Sequence, residues 1–259
     1  MSKIRVLSDH LANQIAAGEV VERPASVVKE LLENALDAGA DRITIQVEGD
    51  GTRLIRIMDN GAGMDQDDVL LSLERHATSK LTRESQLAAI ATLGFRGEAL
   101  PSIGSVSRMS LLSRLHTAEI GTRAEVRYGT LHDFHDDGCA CGTLIEVRNL
   151  FGNLPARKKF LKTKRTELFH IEEVVRNQAL AHPNRAFYLQ VDGRKTITLA
   201  VADQEQRVRD VFRYSGRMLD VAFRDSQASF AVNGFLLLPD ATTTARLRIL
   251  VNNRPVQDR

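Results

Sequence analysis

The sequence predicts an α+β chain in which a layer of helices covers one mostly antiparallel sheet, followed by the start of a second, smaller α/β unit. Three observations carry this reading. A helix signal over residues 24–38 leads directly into two β-type runs joined by a tight Gly-Asp-Gly turn. Further β-type runs follow at 106–113, 123–128 and 143–148, and one layer of helices on such a sheet is the natural packing. A polar run, Asp203-Gln204-Glu205-Gln206, then opens a new helix-then-strands pattern.

Taken in order, the first helix is bracketed by Pro24 at its start and Gly39 just past its end, with Val27, Val28, Leu31, Leu32, Ala35 and Leu36 at helical spacing on its buried side. The runs 42–48 and 53–58 alternate and are separated by Gly49-Asp50-Gly51, which predicts a hairpin. The sheet then runs into Asp59-Asn60-Gly61-Ala62-Gly63. From Asp65 to Ser102 the pattern is of helical patches broken by turns. A longer amphipathic helix is expected over 165–181, and a second hairpin over 186–191 and 195–200. A boundary falls near 202–206, which gives domains 1–202 and 203–259. The last segment, Arg248 to Arg254, reads as a strand and a turn with no partner after it, so the second unit is expected to be incomplete, because so few residues bury too little surface alone.

Composition bounds the function loosely. The 259 residues are 43% hydrophobic and 26% charged, an ordinary globular balance. A net charge of +2 permits an anionic partner without arguing for one. No apolar run reaches the ~18 residues a membrane helix needs, and the first residues lead into no signal-peptide stretch, so a soluble, intracellular chain is expected. Cys139 and Cys141 are too close in sequence for an unstrained disulfide. With His132 and His135 they make a weak metal pattern, since Cys-x-Cys is not the usual zinc spacing, and a polar hairpin loop over Asp133–Gly142 is the preferred reading.

The chemistry-bearing residues gather in a few places. At 100° per residue, Glu30, Asn34 and Asp37 fall within about 60° of one another, opposite the apolar arc of the first helix. A carboxylate and a carboxamide one turn apart suit a general base that activates water beside an amide oxygen on Mg²⁺, although a merely solvated face would carry the same letters. Asp59, Gly61 and Gly63 supply an acceptor beside two glycines that let backbone approach a flat ligand. Gly94-Phe95-Arg96-Gly97-Glu98-Ala99-Leu100 places glycines at a helix start, where free N–H groups cradle phosphate. Neither a Walker A loop nor a Gly-x-Gly-x-x-Gly fingerprint is present.

Together these motifs resemble the MutL-type mismatch-repair proteins. The resemblance runs through Leu11–Pro24, Glu33–Gly39, Asp59–Gly63, His76-Ala77-Thr78-Ser79-Lys80, Gly94–Leu100, Gly142-Thr143 and Pro155–Leu161. It implies the GHKL (Bergerat) ATPase fold, followed by part of a transducer-like, ribosomal S5-like domain. By that similarity Glu30 is the general base, Asn34 a Mg²⁺ ligand, and Asp37 a support through hydrogen bonds. Asp59 accepts the adenine amino group, with Gly61, Gly63 and Thr143 completing the base pocket. Residues Ala77, Thr78, Ser79 and Lys80 and the stretch Gly94–Leu100 form the ATP lid. The cofactors implied are ATP and Mg²⁺. The partners implied are DNA, a second protomer joined through an ATP-ordered arm at 1–24, and other repair proteins. A bacterial source would place the chain in the cytoplasm at the nucleoid.

Two features stand apart from the family pattern. The family's lysine in a Val-His-Pro-x-Lys context has no match, since His182-Pro183 is followed by Asn184, and slow or impaired hydrolysis is therefore expected. The stretch His132–Cys141 has no counterpart, as in a variable surface loop. Residues 157–165 carry six cations in nine positions, so Arg157, Lys158 and Lys159, with Arg254, are candidates for sequence-independent phosphate contact. A solvated face is the plain alternative for that run. For the whole chain the alternative is a nucleotide-sensing module without significant turnover.

Overall fold

The structure is a computed structural model that describes residues 20–75, 77, 97–224, 230–238 and 247–256. The chain divides into two compact units, residues 1–175 with 187–198, and residues 176–186 with 199–259.

In the first unit, helix α1 (Pro24–Asp37) begins on an extended Arg23 with proline at the first helical position. It closes through Ala38 N–H to the Asn34 carbonyl at 2.9 Å and Gly39 N–H to the Leu36 carbonyl at 3.0 Å. Gly39 has φ +77, the left-handed turn that glycine makes without a Cβ penalty. Val27, Val28, Leu31, Leu32 and Ala35 are buried as the helical spacing requires, whereas Leu36 is only half-buried. Strands β1 (Arg42–Glu48) and β2 (Leu54–Asp59) pair antiparallel, Ile45 opposite Ile57 and Val47 opposite Ile55. Their alternate residues Ile43, Ile45, Val47, Ile55 and Ile57 all lie in the core.

Two short helices follow, α2 (Gln66–Leu71) and α3 (Ala99–Ser105). Then come β3 (Arg108–Arg114), β4 (Gly121–Arg127), β5 (Thr130–Asp137) and β6 (Gly142–Arg148). The basic segment forms helix α4 (Pro155–Phe160), and α5 (Lys164–Ala181) precedes the hairpin β7 (Ala186–Val191) and β8 (Arg194–Leu199). One eight-stranded sheet results, in the order β5-β4-β3-β6-β2-β1-β7-β8. The sequence's expectation of helices on a mostly antiparallel sheet holds.

Two local expectations do not. Residues 130–137 form an edge strand rather than part of a polar loop, so only 138–141 remain as the connection to β6. Most of that strand is exposed, so no buried face imposes the alternation by which strands are recognised. Cys139 and Cys141, both half-buried free thiols, sit in the shortened loop. At the other end, the segment read as an unpaired strand pairs after all, β11 (Ile249–Val251) with β12 (Arg254–Val256). The turn residues Asn252 and Asn253 have φ 50 and 61, the double left-handed geometry of a two-residue hairpin.

In the second unit, α6 (Gln204–Phe212) is capped by Asp203, whose carboxylate accepts the Gln206 N–H at 2.7 Å. The fully buried Arg207 donates to the carbonyls of Pro183, Arg185 and Ala200 at 2.9, 2.7 and 2.6 Å. Gln204 donates to the Leu180 carbonyl at 3.2 Å. These bonds give 176–186 and 199 onward a common scaffold, which a boundary drawn from composition at 202 divides. Strands β9 (Met218–Arg224) and β10 (Ala231–Leu237) make a separate antiparallel pair. No helix among the described residues is long and apolar enough to cross a membrane.

Candidate functional site

The site is built where β2 ends. Asp59, the last residue of β2, is half-buried and paired across the sheet with Thr143 of β6. Its Oδ1 accepts the Gly61 N–H at 2.8 Å, and the backbone N–H of Thr143 also donates to the carboxylate. Burial nevertheless pushes the Asp59 carboxyl above its ordinary range, because desolvation outweighs the two donors that favour the charged form. Gly63 has φ +75, and a Cβ there would overlap the Arg114 carbonyl oxygen. Gly142, φ +106, is likewise pressed on the Asp59 carbonyl. Glycines at 63 and 142 therefore let three strand ends meet without side chains between them, which leaves an acceptor in a close-walled cradle.

A residue that sequence reasoning missed joins this cradle. Ser113, at the end of β3 and fully buried, has its Oγ 2.9 Å from Thr143 Oγ1, donates to the Gly142 carbonyl at 3.1 Å and accepts the Met64 N–H at 2.9 Å. The only signal that could have found it is register, which a sequence without strand pairing does not display.

The turn 59–63 is tied to the end of α1. Ala62 N–H donates to the Ala38 carbonyl at 2.9 Å, and a Cβ on Gly61 would lie 2.9 Å from that same oxygen. Asn60 Oδ1 accepts the N–H groups of Asp41 and Arg42 at 2.9 and 2.8 Å, which locks the entry to β1 onto the same turn. At 1.5 Å rise per residue, Asn34 stands about 6 Å and Glu30 about 12 Å up the helix axis from that junction. The carboxylate–carboxamide pair thus lies along the helix whose end is fastened to the cradle's turn.

On α1 the Glu30 side chain is a quarter exposed and lies 3.3 Å from Lys29 Nζ, which also reaches Glu33 at 3.4 Å. Glu33 is 7% exposed, a burial that helical spacing alone did not mark. Its carboxyl is raised by burial, and the nearby negative charges of Glu30 and Asp37 add to the rise against the opposing pull of Lys29. Asn34 and Asp37 are half-buried. Glu30, Glu33 and Asp37 thus lie near one another on α1, with Lys29 paired to the first two.

Of the lid residues, His76, Thr78, Ser79, Lys80, Gly94, Phe95 and Arg96 lie outside the described residues, as do 1–19 of the arm. Of the residues that are described, Gly97 lies against Ala77: a Cβ on Gly97, φ +62, would overlap the Ala77 carbonyl oxygen. Glu98 precedes α3 and accepts the Ser102 N–H at 3.0 Å, while Ala99 and Leu100 are half-buried in its first turn.

In the basic segment, Arg157 donates to the Val21 carbonyl at 3.0 Å and its guanidinium stands 5.8 Å over the Phe151 ring. Lys158 and Lys159 are exposed on α4, and Arg254 is exposed on β12 in the second unit. Among the described residues no group of three or more His, Cys, Asp or Glu is placed to hold a metal ion by itself.

Comparison with known proteins follows the same lines. Residues 22–136 match the family described as histidine kinase-, DNA gyrase B- and HSP90-like ATPase. The chain is 54% identical over 213 residues to the DNA mismatch repair protein MutL of Solibacter usitatus, covering 82% of this chain and 32% of that protein. It is 48% identical to MutL of Xylella fastidiosa over 99% of this chain and 42% of the relative, so it spans about a third to two-fifths of the length of such relatives. Among solved structures, the Aquifex aeolicus MutL ATPase domain complexed with ADP superposes with a TM-score of 0.71 at 31% identity, over 92% of this chain and 85% of that one. The sheet with its helices, the Asp59 cradle and these likenesses agree, and the chain belongs to the MutL family of DNA mismatch repair proteins, within the ATPase region that carries the GHKL fold.

Proposed function

We propose that this region binds ATP with Mg²⁺ and acts as a nucleotide-driven switch for DNA mismatch repair. The observation that carries the reading is the Asp59 carboxylate, held by the N–H groups of Gly61 and Thr143 in a glycine-walled cradle at the foot of α1. An aimed, half-buried acceptor suits the exocyclic amino group of adenine. Gly61, Gly63 and Thr143 line that end of the site, and the residues of 77–80 and 94–100 close over the phosphates with their backbone N–H groups.

Glu30 holds the attacking water and takes its proton, a role a partly exposed carboxylate midway along α1 can fill. Asn34 offers an amide oxygen to Mg²⁺, which when bound neutralises charge on the phosphate oxygens. Asp37 supports the pair through hydrogen bonds rather than by touching the nucleotide. Nucleotide binding orders the lid and the arm 1–24, two protomers associate, and the pair signals to other repair proteins. Arg157, Lys158, Lys159 and Arg254 contribute sequence-independent phosphate contacts, and Arg157 also anchors α4. From a bacterial source, the chain works in the cytoplasm at the nucleoid.

Calorimetric titration of Mg²⁺-ATP into the wild type and Asp59→Ala tests the reading. The variant should lose about tenfold or more in affinity, the worth of a hydrogen bond to a charged group. Equal affinity in the two proteins would overturn it.

A further inference from the structure

The sheet register sets three polar residues in one row: Asp59 on β2 opposite Thr143 on β6, and Thr143 opposite Ser113 on β3. Residues directly opposite in a sheet project to the same face. Ser113 is completely buried, and its hydroxyl is fully engaged inside the protein. It donates to the Gly142 carbonyl, accepts the Met64 N–H and, with the Thr143 hydroxyl donating to it, has used its one proton and both lone pairs. A hydroxyl so saturated does not touch a ligand. Its action is on the walls of the cradle.

One wall is the turn after β2, which donates to Asp59 through Gly61 N–H and is fastened at its far end, Met64 N–H, to Ser113. The other wall is the start of β6, which donates to Asp59 through Thr143 N–H and is fastened to Ser113 at both the Gly142 carbonyl and the Thr143 hydroxyl. Each backbone donor that aims the Asp59 carboxylate therefore belongs to a segment that Ser113 ties to β3. The same bond to Thr143 fixes which rotamer that β-branched side chain presents.

We infer that Ser113 is a positioning residue for base recognition: by clamping both walls it holds the direction of the Asp59 carboxylate and sets the site's preference for a purine bearing a 6-amino group. The inference deepens the nucleotide-site reading above and rests on it. Without the Ser113 hydroxyl, Asp59 keeps its chemistry but loses its aim, so discrimination falls faster than binding.

The test compares Mg²⁺-ATP with Mg²⁺-purine riboside triphosphate, which differs only in lacking the 6-amino group, by calorimetric titration of the wild type, Ser113→Ala and Ser113→Cys. The wild type should prefer ATP by about tenfold, or about 1.4 kcal/mol. In Ser113→Ala the preference should shrink to about threefold or less, through weaker binding of ATP and with the analogue little changed. Ser113→Cys keeps the volume with a weaker donor and should fall between, and it carries the test by the same criterion should the alanine variant not fold. Loss of both ligands by the same factor, or an unchanged preference in the variants, overturns the role of Ser113 alone. A wild type that binds neither ligand overturns the nucleotide site itself.

Discussion

Gly97 lies directly on the backbone of Ala77, so closely that a Cβ at Gly97 would overlap the Ala77 carbonyl oxygen. Two residues twenty positions apart in sequence thereby meet backbone to backbone. With φ at +62, residue 97 is also in the left-handed region that non-glycine residues enter only with strain. Gly97→Ala therefore combines a backbone penalty of about 1–2 kcal/mol with a steric one, at a place where little of the core is involved. The expected outcome is a loss of Mg²⁺-ATP affinity of about tenfold or more, with the thermal midpoint lowered by only about 2–4 °C per kcal/mol of strain. Fluorescence titration and a thermal melt on the same preparation check it, and unchanged affinity would count against a role for this junction in holding nucleotide.

Glu33 links the site to stability through pH. Burial, with Glu30 and Asp37 nearby, raises its carboxyl above the ordinary range. A raised carboxyl means that the fold favours the neutral form. The favourable contribution is full below the ordinary carboxylate pKa and is lost as pH rises through the folded value. At neutral pH the charged Glu33 thus weakens the ligand-free protein. Glu33→Gln should melt a few degrees higher than the wild type near pH 7, and the gain should fade as the pH is lowered toward 4. A gain that is constant across that range would show that charge is not its source.

The basic segment makes a separate expectation. Lys158 and Lys159 are exposed, whereas Arg157 is held by Val21 and Phe151. If the two lysines each neutralise a phosphate, replacing both by alanine should weaken duplex binding at every sequence. It should also flatten the slope of log K against log salt by about two, since each phosphate contact contributes about 0.9. An unaltered slope would place the DNA contact elsewhere. Arg157→Ala is expected instead to lower the melting temperature, through loss of the Val21 anchor.

Much of this was legible before any coordinates because the deciding forces are local. Pro24 and Gly39 bracket α1, and its apolar spacing names most of the buried face, although Leu36 is only half-buried and Glu33 is buried. Gly49-Asp50-Gly51 marks the first hairpin, and Asp59 falls at the end of its second strand. What escaped depends on neighbours distant in sequence. Ser113 matters only because β3 lies beside β6, and nothing in Leu-Leu-Ser-Arg announces that pairing. Strand β5 is an exposed edge without alternation. Strand β12 contains Pro255, which lacks a ladder donor and so argues against a strand when read alone. The second unit's debt to residues 176–186 is invisible because the buried Arg207 recruits carbonyls from Pro183 and Arg185 across two other strands.

The most direct measurement of the central claim is equilibrium binding of ATP, with and without Mg²⁺, to the wild type, Glu30→Ala and Asn34→Ala. Glu30 is assigned to water, so its removal should leave binding within about twofold while abolishing turnover. Asn34 is assigned to Mg²⁺, so its removal should erase most of the difference that Mg²⁺ makes and lower affinity in its presence. Equal affinity in all three proteins under both conditions, or no binding by the wild type, would contradict the assignment of α1 to the nucleotide.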